Sequence, residues 1–193
     1  MPRSKCLKIN SRTDNSMIYL MRHGADDPDR LGGWSPSGLT DIGRKQVSDA
    51  AEKMISAGIA AIYSSDLPRA KETAEIVANK LRLPVSFLPV FRETNNGLLA
   101  GMLKSEANLL YPGLHWDALE WTQRYPGGES PDLFFQRISQ AWKIFKRDNA
   151  ENTVLLITHG GVISIIMCIE NHVPYTNRGS IYKVSHAEII GID

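Results

Sequence analysis

The sequence predicts an α/β fold: a three-layer α/β/α sandwich with a mostly parallel sheet and helices on both faces. Two observations predict it. Short apolar runs typical of buried strands alternate with segments of helical periodicity, and 42% of the 193 residues are hydrophobic. Such alternation favours a parallel sheet, and the apolar content is sufficient for a full core. We expect a single domain over residues 1–193, with residues 1–15 as an N-terminal tail.

The individual elements follow from local patterns. Predicted strands are apolar runs bounded by polar or turn residues, at residues 17–21, 59–63, 85–91, 154–158 and, as one or two strands, 180–190. Predicted helices lie at residues 40–57, 66–81, 131–148 and 162–170. Thr40 is a favourable N-cap, and Pro68 suits the first turn of the second helix. Residues 94–130 are less regular, and we interpret them as a lid subregion.

The composition excludes several classes of partner. The 22 Lys and Arg residues against 21 Asp and Glu residues give a net charge of +1, without the basic excess of an extended nucleic-acid surface. The apolar stretch at 154–169 is interrupted in its middle by a histidine and two glycines, so it does not predict a membrane helix. Two cysteines, Cys6 and Cys168, fit reduced thiols. We therefore expect a cytoplasmic protein that binds neither nucleic acid nor membranes.

A histidine follows the carboxyl end of two predicted strands. Arg22-His23-Gly24 closes the first strand, and Thr158-His159-Gly160-Gly161 closes the strand at 154–158. In an open α/β sheet, ligands bind beyond these strand ends, so both histidines can share one pocket. The glycines let the backbone approach a ligand closely. Strand capping explains either histidine alone equally well, but two in the same context favour a site.

Two further residues could complete an anion site. Arg69 lies in the first turn of a helix, where the dipole is already positive, and this arrangement makes sense if an anion binds there. Glu93, at the end of the third strand, is the best-placed carboxylate for protonating a leaving group. Each has a simpler explanation when taken alone. Arg69 could be a surface residue paired with Glu72 or Asp66, and Glu93 could pair with Arg92.

Phosphate chemistry suits this set of side chains. Four of them could surround one tetrahedral phosphate: Arg22, Arg69, His23 and His159. A histidine held among cations is kept deprotonated and can attack phosphorus, while the positive charge stabilises the transferred phosphoryl oxygens. The remaining histidines, His115, His172 and His186, lack metal-ligand spacing, and we interpret them as structural or surface residues.

Several motifs occur in a fixed order along the chain. They are Arg22-His23-Gly24, Ser64 to Ala70 with Thr73-Ala74, and Thr158 to Gly161, with weaker matches at Leu39 to Gly43, at Glu93 with Gly97 and Gly101, and at Gly128 to Ser130 followed by Arg137. This ordered set resembles the histidine phosphatase, or phosphoglycerate mutase-like, superfamily over about residues 17–190. The resemblance implies a phosphoglycerate mutase-like fold and catalysis without a metal or other cofactor.

The resemblance also implies a role for each matching residue. His23 would be the nucleophile that becomes phosphohistidine, and Glu93 would protonate the leaving oxygen and then activate water. The phosphate would be held by Arg22, Arg69, His159 and Gly160, of which His159 also belongs to the catalytic set. The implied activity is phosphomonoester hydrolysis. A phosphoglycerate mutase-type phosphotransferase is the alternative, and a non-catalytic phosphate-binding protein is a less favoured one.

The loop after the first histidine departs from the family pattern. The family usually has Thr and then Asn beyond Arg-His-Gly, whereas this chain continues Ala-Asp-Asp-Pro-Asp-Arg. Arg30 or a backbone N–H is a candidate replacement for the missing phosphate contacts. The aspartates at 26, 27 and 29 should repel a highly charged substrate unless they point away or pair with Arg30. Asp26 and Arg30 are therefore candidate specificity residues.

The 94–130 segment supplies few cations and several aromatic side chains. Its basic residues are Lys104 and Arg124, whereas a mutase needs cations for a carboxylate as well as a phosphate. We therefore expect a small-molecule phosphomonoester substrate, including one with an apolar or aromatic leaving part. Trp116 and Trp121 are further candidate specificity residues, although packing of a small subdomain explains them more simply. A homodimer is an open option.

Overall fold

The computed structural model describes residues 16–179 and 181–192. The predicted N-terminal tail and Ser180, where the last predicted strand region begins, lie outside the described residues. The strands are β1 (Ile18–Arg22), β2 (Ala61–Ser64), β3 (Val85–Phe87), β4 (Val154–Thr158) and β5 (Ile189–Ile192). The α-helices are α1 (Asp41–Glu52), α2 (Pro68–Leu81), α3 (Lys104–Leu110), α4 (Pro131–Asp148) and α5 (Gly160–Glu170). Within the described ranges, no helix combines the length and apolarity needed to cross a membrane.

The five strands form one sheet in the order β3-β2-β4-β1-β5. The first four are mutually parallel, and β5 runs antiparallel to β1. Strand β4 lies at the centre, and all five of its residues are buried because neighbouring strands and both helical layers cover it. Its register with β1 places Arg22 opposite Thr158. The carboxyl ends of β1, β4 and β2 therefore lie side by side.

Helices cover both faces of this sheet, as the three-layer prediction requires. Along β1, Leu20 packs into a core with α4 and α5, whereas the next residue, Met21, packs into a core with α1 and α2. Successive strand side chains point to opposite faces, so one strand supplies both cores. The α4 side of the core is rich in aromatic residues, including Phe134 and Trp142. The predicted α/β class is confirmed.

Element boundaries differ from the predictions where hydrogen bonding changes. Helix α1 begins after the predicted cap, since Thr40 Oγ1 accepts a hydrogen bond from Gly43 N at 3.1 Å, but it ends at Glu52 and continues only as turns. The third strand stops at Phe87 because Pro89, which has no N–H, begins a 3₁₀ turn.

Among the described residues 181–192, the C-terminal region forms one strand, β5, rather than a run over 180–190. Ala187 has a positive φ of 59°, which interrupts extended backbone just before β5. Its N–H donates to the carbonyl of Arg22 at 3.1 Å, so the chain is fixed at the end of β1 before it pairs. This contact brings the segment before β5 to the same edge as the two strand-end histidines.

Residues 94–130 contain α3 and two 3₁₀ turns, Gly97–Leu99 and Trp116–Ala118. They form a small core of their own around Leu99, Leu119 and Tyr125. A lid function for this subregion stays a prediction.

Candidate active site

His23 lies directly beyond β1, and its side chain is buried. Its backbone N–H donates to the Thr158 carbonyl at 3.0 Å, which fixes it beside β4. The ring Nδ1 lies 2.7 Å from the carbonyl oxygen of Gly24. Because a carbonyl only accepts hydrogen bonds, Nδ1 carries the proton and Nε2 presents a lone pair. That lone pair accepts a hydrogen bond from Arg69 Nε at 3.1 Å.

The surroundings of His23 keep its imidazole neutral. Burial lowers its pKa well below the usual value, and the positive charges of Arg69 and Arg22 lower this pKa further. The hydrogen bond to Gly24 opposes this effect without overcoming it. A neutral imidazole with a lone pair on Nε2 is the form that acts as a nucleophile.

Arg69 is almost completely buried, with 1% of its surface exposed. It stands in the first turn of α2, where Pro68 begins the helix. Besides His23, its guanidinium donates to Ser35 Oγ at 3.1 Å and to the Gly33 carbonyl at 2.8 Å. The residue is therefore part of the pocket wall, and its interpretation as a surface arginine is wrong.

The acidic residues offered as surface partners for this arginine are bound elsewhere. Glu72 accepts a hydrogen bond from Arg44 Nε at 2.6 Å. Asp66 forms a two-pronged ion pair with Arg92, whose Nε lies 2.6 Å from one carboxylate oxygen. Arg92 is thus bound to Asp66, and not to Glu93 as the simpler explanation of Glu93 supposed.

Arg22, the last residue of β1, is held by the segment that precedes β5. One terminal nitrogen donates to the Val184 carbonyl at 2.6 Å, and the other lies 2.9 Å from His186 Nε2. Its Nε is buried without a hydrogen-bond partner among the described residues. A Cβ placed on Gly160 would lie 3.5 Å from this Nε, so the unpaired N–H stands beside the start of α5.

His159 is fully buried at the end of β4, between the ends of β1 and β2. Its ring lies 5.1 Å from the ring of His23. Nε2 is 2.8 Å from Ser65 Oγ, and Nδ1 has no partner within the described part of the chain. Burial and the nearby guanidinium of Arg69 lower the pKa of His159 well below its usual value. One ring nitrogen of this buried side chain is therefore left without a hydrogen bond among the described residues.

Glu93 reaches the same pocket through the N-terminus of α5. One carboxylate oxygen accepts a hydrogen bond from Gly161 N at 3.0 Å, and the other accepts one from Thr94 N at 2.9 Å. A Cβ on Gly161 would lie only 2.4 Å from this carboxylate, so glycine is required for the contact. The carboxylate is half-buried and within electrostatic range of Arg22 and Arg69.

The loop that carries Glu93 is tied down at several points. Arg137 donates to its carbonyl oxygen at 3.1 Å and pairs with Glu129 through two hydrogen bonds of 2.7 and 2.8 Å. Trp34 Nε1 donates to the same carbonyl at 2.8 Å. Glu129 and Arg137, two residues of the weaker motifs in the sequence, therefore support the site without entering it.

Arg22, His23, Arg69, Glu93 and Gly160 line a cleft of about 840 Å³, much larger than a phosphate ion, whereas the fully buried His159 lies behind them and is not part of the lining. Three of the four candidate specificity residues, Asp26, Arg30 and Trp116, also line it. Trp121 does not line it. That side chain is 38% exposed and packs against Phe135 and Tyr175.

The chain can be compared with known proteins at this point. The sequence model of the histidine phosphatase superfamily, branch 1, matches residues 18–190. The chain belongs to the histidine phosphatase superfamily. A probable phosphoglycerate mutase GpmB of Proteus mirabilis is 32% identical over 155 residues, which are 78% of this chain and 72% of that protein. Its Salmonella newport counterpart is 33% identical over 148 residues, 74% of this chain and 69% of that one.

Solved structures show the same superfamily fold. A mycobacterial glucosyl-3-phosphoglycerate phosphatase superposes with a TM-score of 0.77 at 26% identity, covering 92% of this chain and 90% of that one. YhfR of Bacillus stearothermophilus gives a TM-score of 0.80 at 28% identity, covering 92% and 91%. The α-ribazole phosphatase of Shigella flexneri, at 21% identity and a TM-score of 0.80 over 92% and 90%, shows the fold alone.

Nearby side chains compensate most of the negative charge in the acidic loop of this histidine phosphatase-superfamily chain. Asp26 lies 3.5 Å from Arg69 Nε and 3.7 Å from His186 Nε2. Asp27 pairs with Arg30 at 3.3 Å. Two of the three aspartates thus face cations or a histidine, which reduces the repulsion expected for an anionic substrate.

His186 is a pocket residue that the sequence interpretation missed. It lines the cleft, and its ring lies 5.5 Å from that of His23. Its assignment as a structural or surface residue is therefore wrong. Pairing of β5 with β1, with Met21 opposite Ile189, carries it there. Only recognition of that antiparallel pairing would have placed it beside the site.

The donor set of the superfamily pocket suits an anion better than a metal. His23, Asp26 and His186 offer ligand atoms within 4.8 Å of one another. However, Arg69 donates to a ring nitrogen of His23, and Arg22 donates to one of His186. Two guanidinium groups thus occupy nitrogens that a cation would need, and their charge would repel it.

Proposed function

We propose that the protein is a phosphomonoester hydrolase that acts through a phosphohistidine on His23. The observation that carries the proposal is the neutral, buried imidazole whose Nδ1 proton is held by Gly24 and whose Nε2 lone pair faces the pocket arginine, Arg69. The superfamily membership and the phosphatases among the related structures support it.

In the first step, Nε2 of His23 attacks phosphorus as the bond from phosphorus to the leaving oxygen breaks. Protonated Glu93 gives its proton to that oxygen, so an alcohol departs. The Arg69 N–H that now meets Nε2 turns to a phosphoryl oxygen, and the unpaired Nε–H of Arg22 meets another. Nδ1 of His159, which is also unpaired among the described residues, is the third group that we assign to the phosphoryl oxygens.

In the second step, water attacks the phosphohistidine. Glu93, now a carboxylate, takes a proton from this water, and the bond between phosphorus and Nε2 breaks to release inorganic phosphate. The N–H groups of Gly161 and Thr94 hold the carboxylate beside the pocket during both steps. The protein returns to its starting protonation state with Glu93 carrying the proton.

The second candidate is a phosphoglycerate mutase-type phosphotransferase, and two observations favour it. Two relatives carry that name, each marked as probable. The cleft also contains more cations than the 94–130 segment alone supplies, because Lys183 lines it together with Lys104. Against it, Trp116 and Tyr175 form part of the same lining, which suits an apolar leaving part. We therefore favour hydrolysis.

The proposal is tested with para-nitrophenyl phosphate and a panel of phosphomonoesters. We expect hydrolysis by the wild type and its loss in His23→Ala. The matched control is His115→Ala, a histidine exposed on the 94–130 segment, which should retain activity. Absence of hydrolysis for every ester would overturn the proposal. Interconversion of phosphoglycerates primed by a bisphosphate would promote the mutase instead.

A further inference from the structure

His186 stands over the pocket between two opposite charges. Its Nε2 lies 2.9 Å from a terminal nitrogen of Arg22 and 3.7 Å from a carboxylate oxygen of Asp26. The neighbouring residue, Ala187, fixes this position because its N–H donates to the carbonyls of Arg22 and His23 at 3.1 and 3.2 Å. The imidazole is thus attached to the strand end that carries the proposed nucleophile.

The hydrogen bonds of Arg22 define the protonation state of His186. A guanidinium group only donates, so His186 Nε2 must accept, and its proton must lie on Nδ1. The second terminal nitrogen of Arg22 donates to the Val184 carbonyl at 2.6 Å. Both ends of the guanidinium are therefore fixed from the segment before β5, and its buried Nε–H stays unpaired among the described residues.

We propose that neutral His186 is the positioning residue that aims the free Nε–H of Arg22 at the phosphoryl group, and that protonation of His186 transfers its hydrogen bond from Arg22 to Asp26. The proposal rests on the proposed function, since it concerns the same pocket. A protonated Nε2 cannot accept from Arg22, and its charge repels the guanidinium. The carboxylate of Asp26, 3.7 Å away, is the acceptor then available.

Charged groups on all sides affect the protonation equilibrium of His186. The charged or titratable groups that act on His186 are Arg22 and His23 at the end of β1, Asp26 in the following loop and Arg69 on α2. Its own segment also carries Lys183 and Glu188. Burial, Arg22 and Arg69 lower the pKa of His186, whereas Asp26 raises it, with a net lowering. His186 is therefore neutral at neutral pH, and phosphate binding weakens as the pH falls through its pKa.

The test compares His186→Ala with His186→Gln, whose amide oxygen can replace Nε2 as an acceptor but does not titrate. For His186→Ala we expect KM for para-nitrophenyl phosphate and the Kd for vanadate to rise about tenfold, with a smaller change in kcat. His186→Gln should restore both to within about twofold. The matched control on the same segment is Ser185→Ala, an exposed residue, which should behave as wild type.

The pH profile separates positioning from a purely structural role. In the wild type, log(1/KM) should fall as the pH is lowered. Ionisation of the substrate contributes equally to this fall in every variant. His186→Gln should therefore show a smaller fall, because the contribution from protonation of His186 is missing. Asp26→Asn should move the fall to lower pH, because it removes the carboxylate that stabilises protonated His186.

Two results would overturn the proposal: unchanged vanadate affinity in a folded His186→Ala variant, or an identical acid limb in His186→Gln and wild type. Vanadate and phosphate binding, measured by calorimetry, need no turnover. A wild type that binds these anions but hydrolyses nothing would therefore refute the proposed function, while the comparison of His186 variants still decides this one.

Discussion

Substitution of Gly161 by alanine tests how the proposed acid is held. The added Cβ would lie 2.4 Å from Glu93 Oε1, whereas ordinary contacts begin at 3.4 Å, so the carboxylate must retreat by about 1 Å. The 3.0 Å hydrogen bond from Gly161 N would be lost at the same time. A misplacement of about 1 Å at a reacting group can cost roughly 100-fold in rate.

The assay compares two leaving groups. Phenyl phosphate, with the poorer leaving group, depends on proton donation, whereas para-nitrophenyl phosphate depends on it much less. We expect Gly161→Ala to reduce kcat for phenyl phosphate by about 100-fold and to have a smaller effect on para-nitrophenyl phosphate. Folding should be preserved, because the site is in the first turn of α5 and alanine favours helices.

Gly160→Ala is the matched control. Its Cβ would lie 3.5 Å from Arg22 Nε, an ordinary contact distance, although it belongs to the same helix start. Because Arg22 Nε is placed on the phosphoryl group and not on the leaving oxygen, we expect any loss of rate in Gly160→Ala to be equal for the two substrates. The reasoning would be refuted if Gly161→Ala kept the wild-type rate for phenyl phosphate, or if it slowed both substrates equally.

Three other substitutions or conditions give further predictions. Glu93→Gln should slow phenyl phosphate more than para-nitrophenyl phosphate in steady-state assays, and an equal loss for both would remove Glu93 as the acid. The pKa values of His23 and His159 are lowered in the folded protein. Below pH about 6.5, the unfolded chain therefore binds protons at these two histidines while the folded protein does not. The free energy of unfolding, measured with urea, should therefore fall by about 1.4 kcal/mol per pH unit per histidine on acidification, and His159→Gln should reduce the slope. Arg137→Lys should lower the free energy of unfolding by about 1–3 kcal/mol, because lysine cannot reproduce the two-pronged pair with Glu129; an unchanged urea midpoint would contradict this role.

Local patterns were sufficient to predict the part of the site that parallel strands create. His23 and His159 come together because β1 and β4 are parallel neighbours, and a histidine directly after each strand must then share one edge. Arg69 follows by the same logic from the start of α2, after β2. Each of these positions depends only on strand order and on where a strand or helix ends.

The rest of the pocket depends on tertiary contacts that have no local signal. His186 enters through an antiparallel pairing at the sheet edge, and the positive φ of Ala187 determines where that strand begins. The partners of Asp26 also come from distant parts of the chain, since Arg69 and His186 lie on α2 and before β5. The charges of the aspartates in the sequence indicate repulsion of a phosphate, but they do not show which cations compensate that repulsion.

Trapping the phosphorylated protein tests the central claim most directly. Wild type and Glu93→Gln would be mixed with para-nitrophenyl phosphate, whose leaving group depends little on the acid. The samples would be quenched in alkaline denaturant, which preserves phosphohistidine, and mapped by mass spectrometry. The account predicts one phosphoryl group on Nε2 of His23, more of it in Glu93→Gln because water is activated poorly, and none in His23→Ala. Turnover without any label on His23, or a label on another residue, would contradict it.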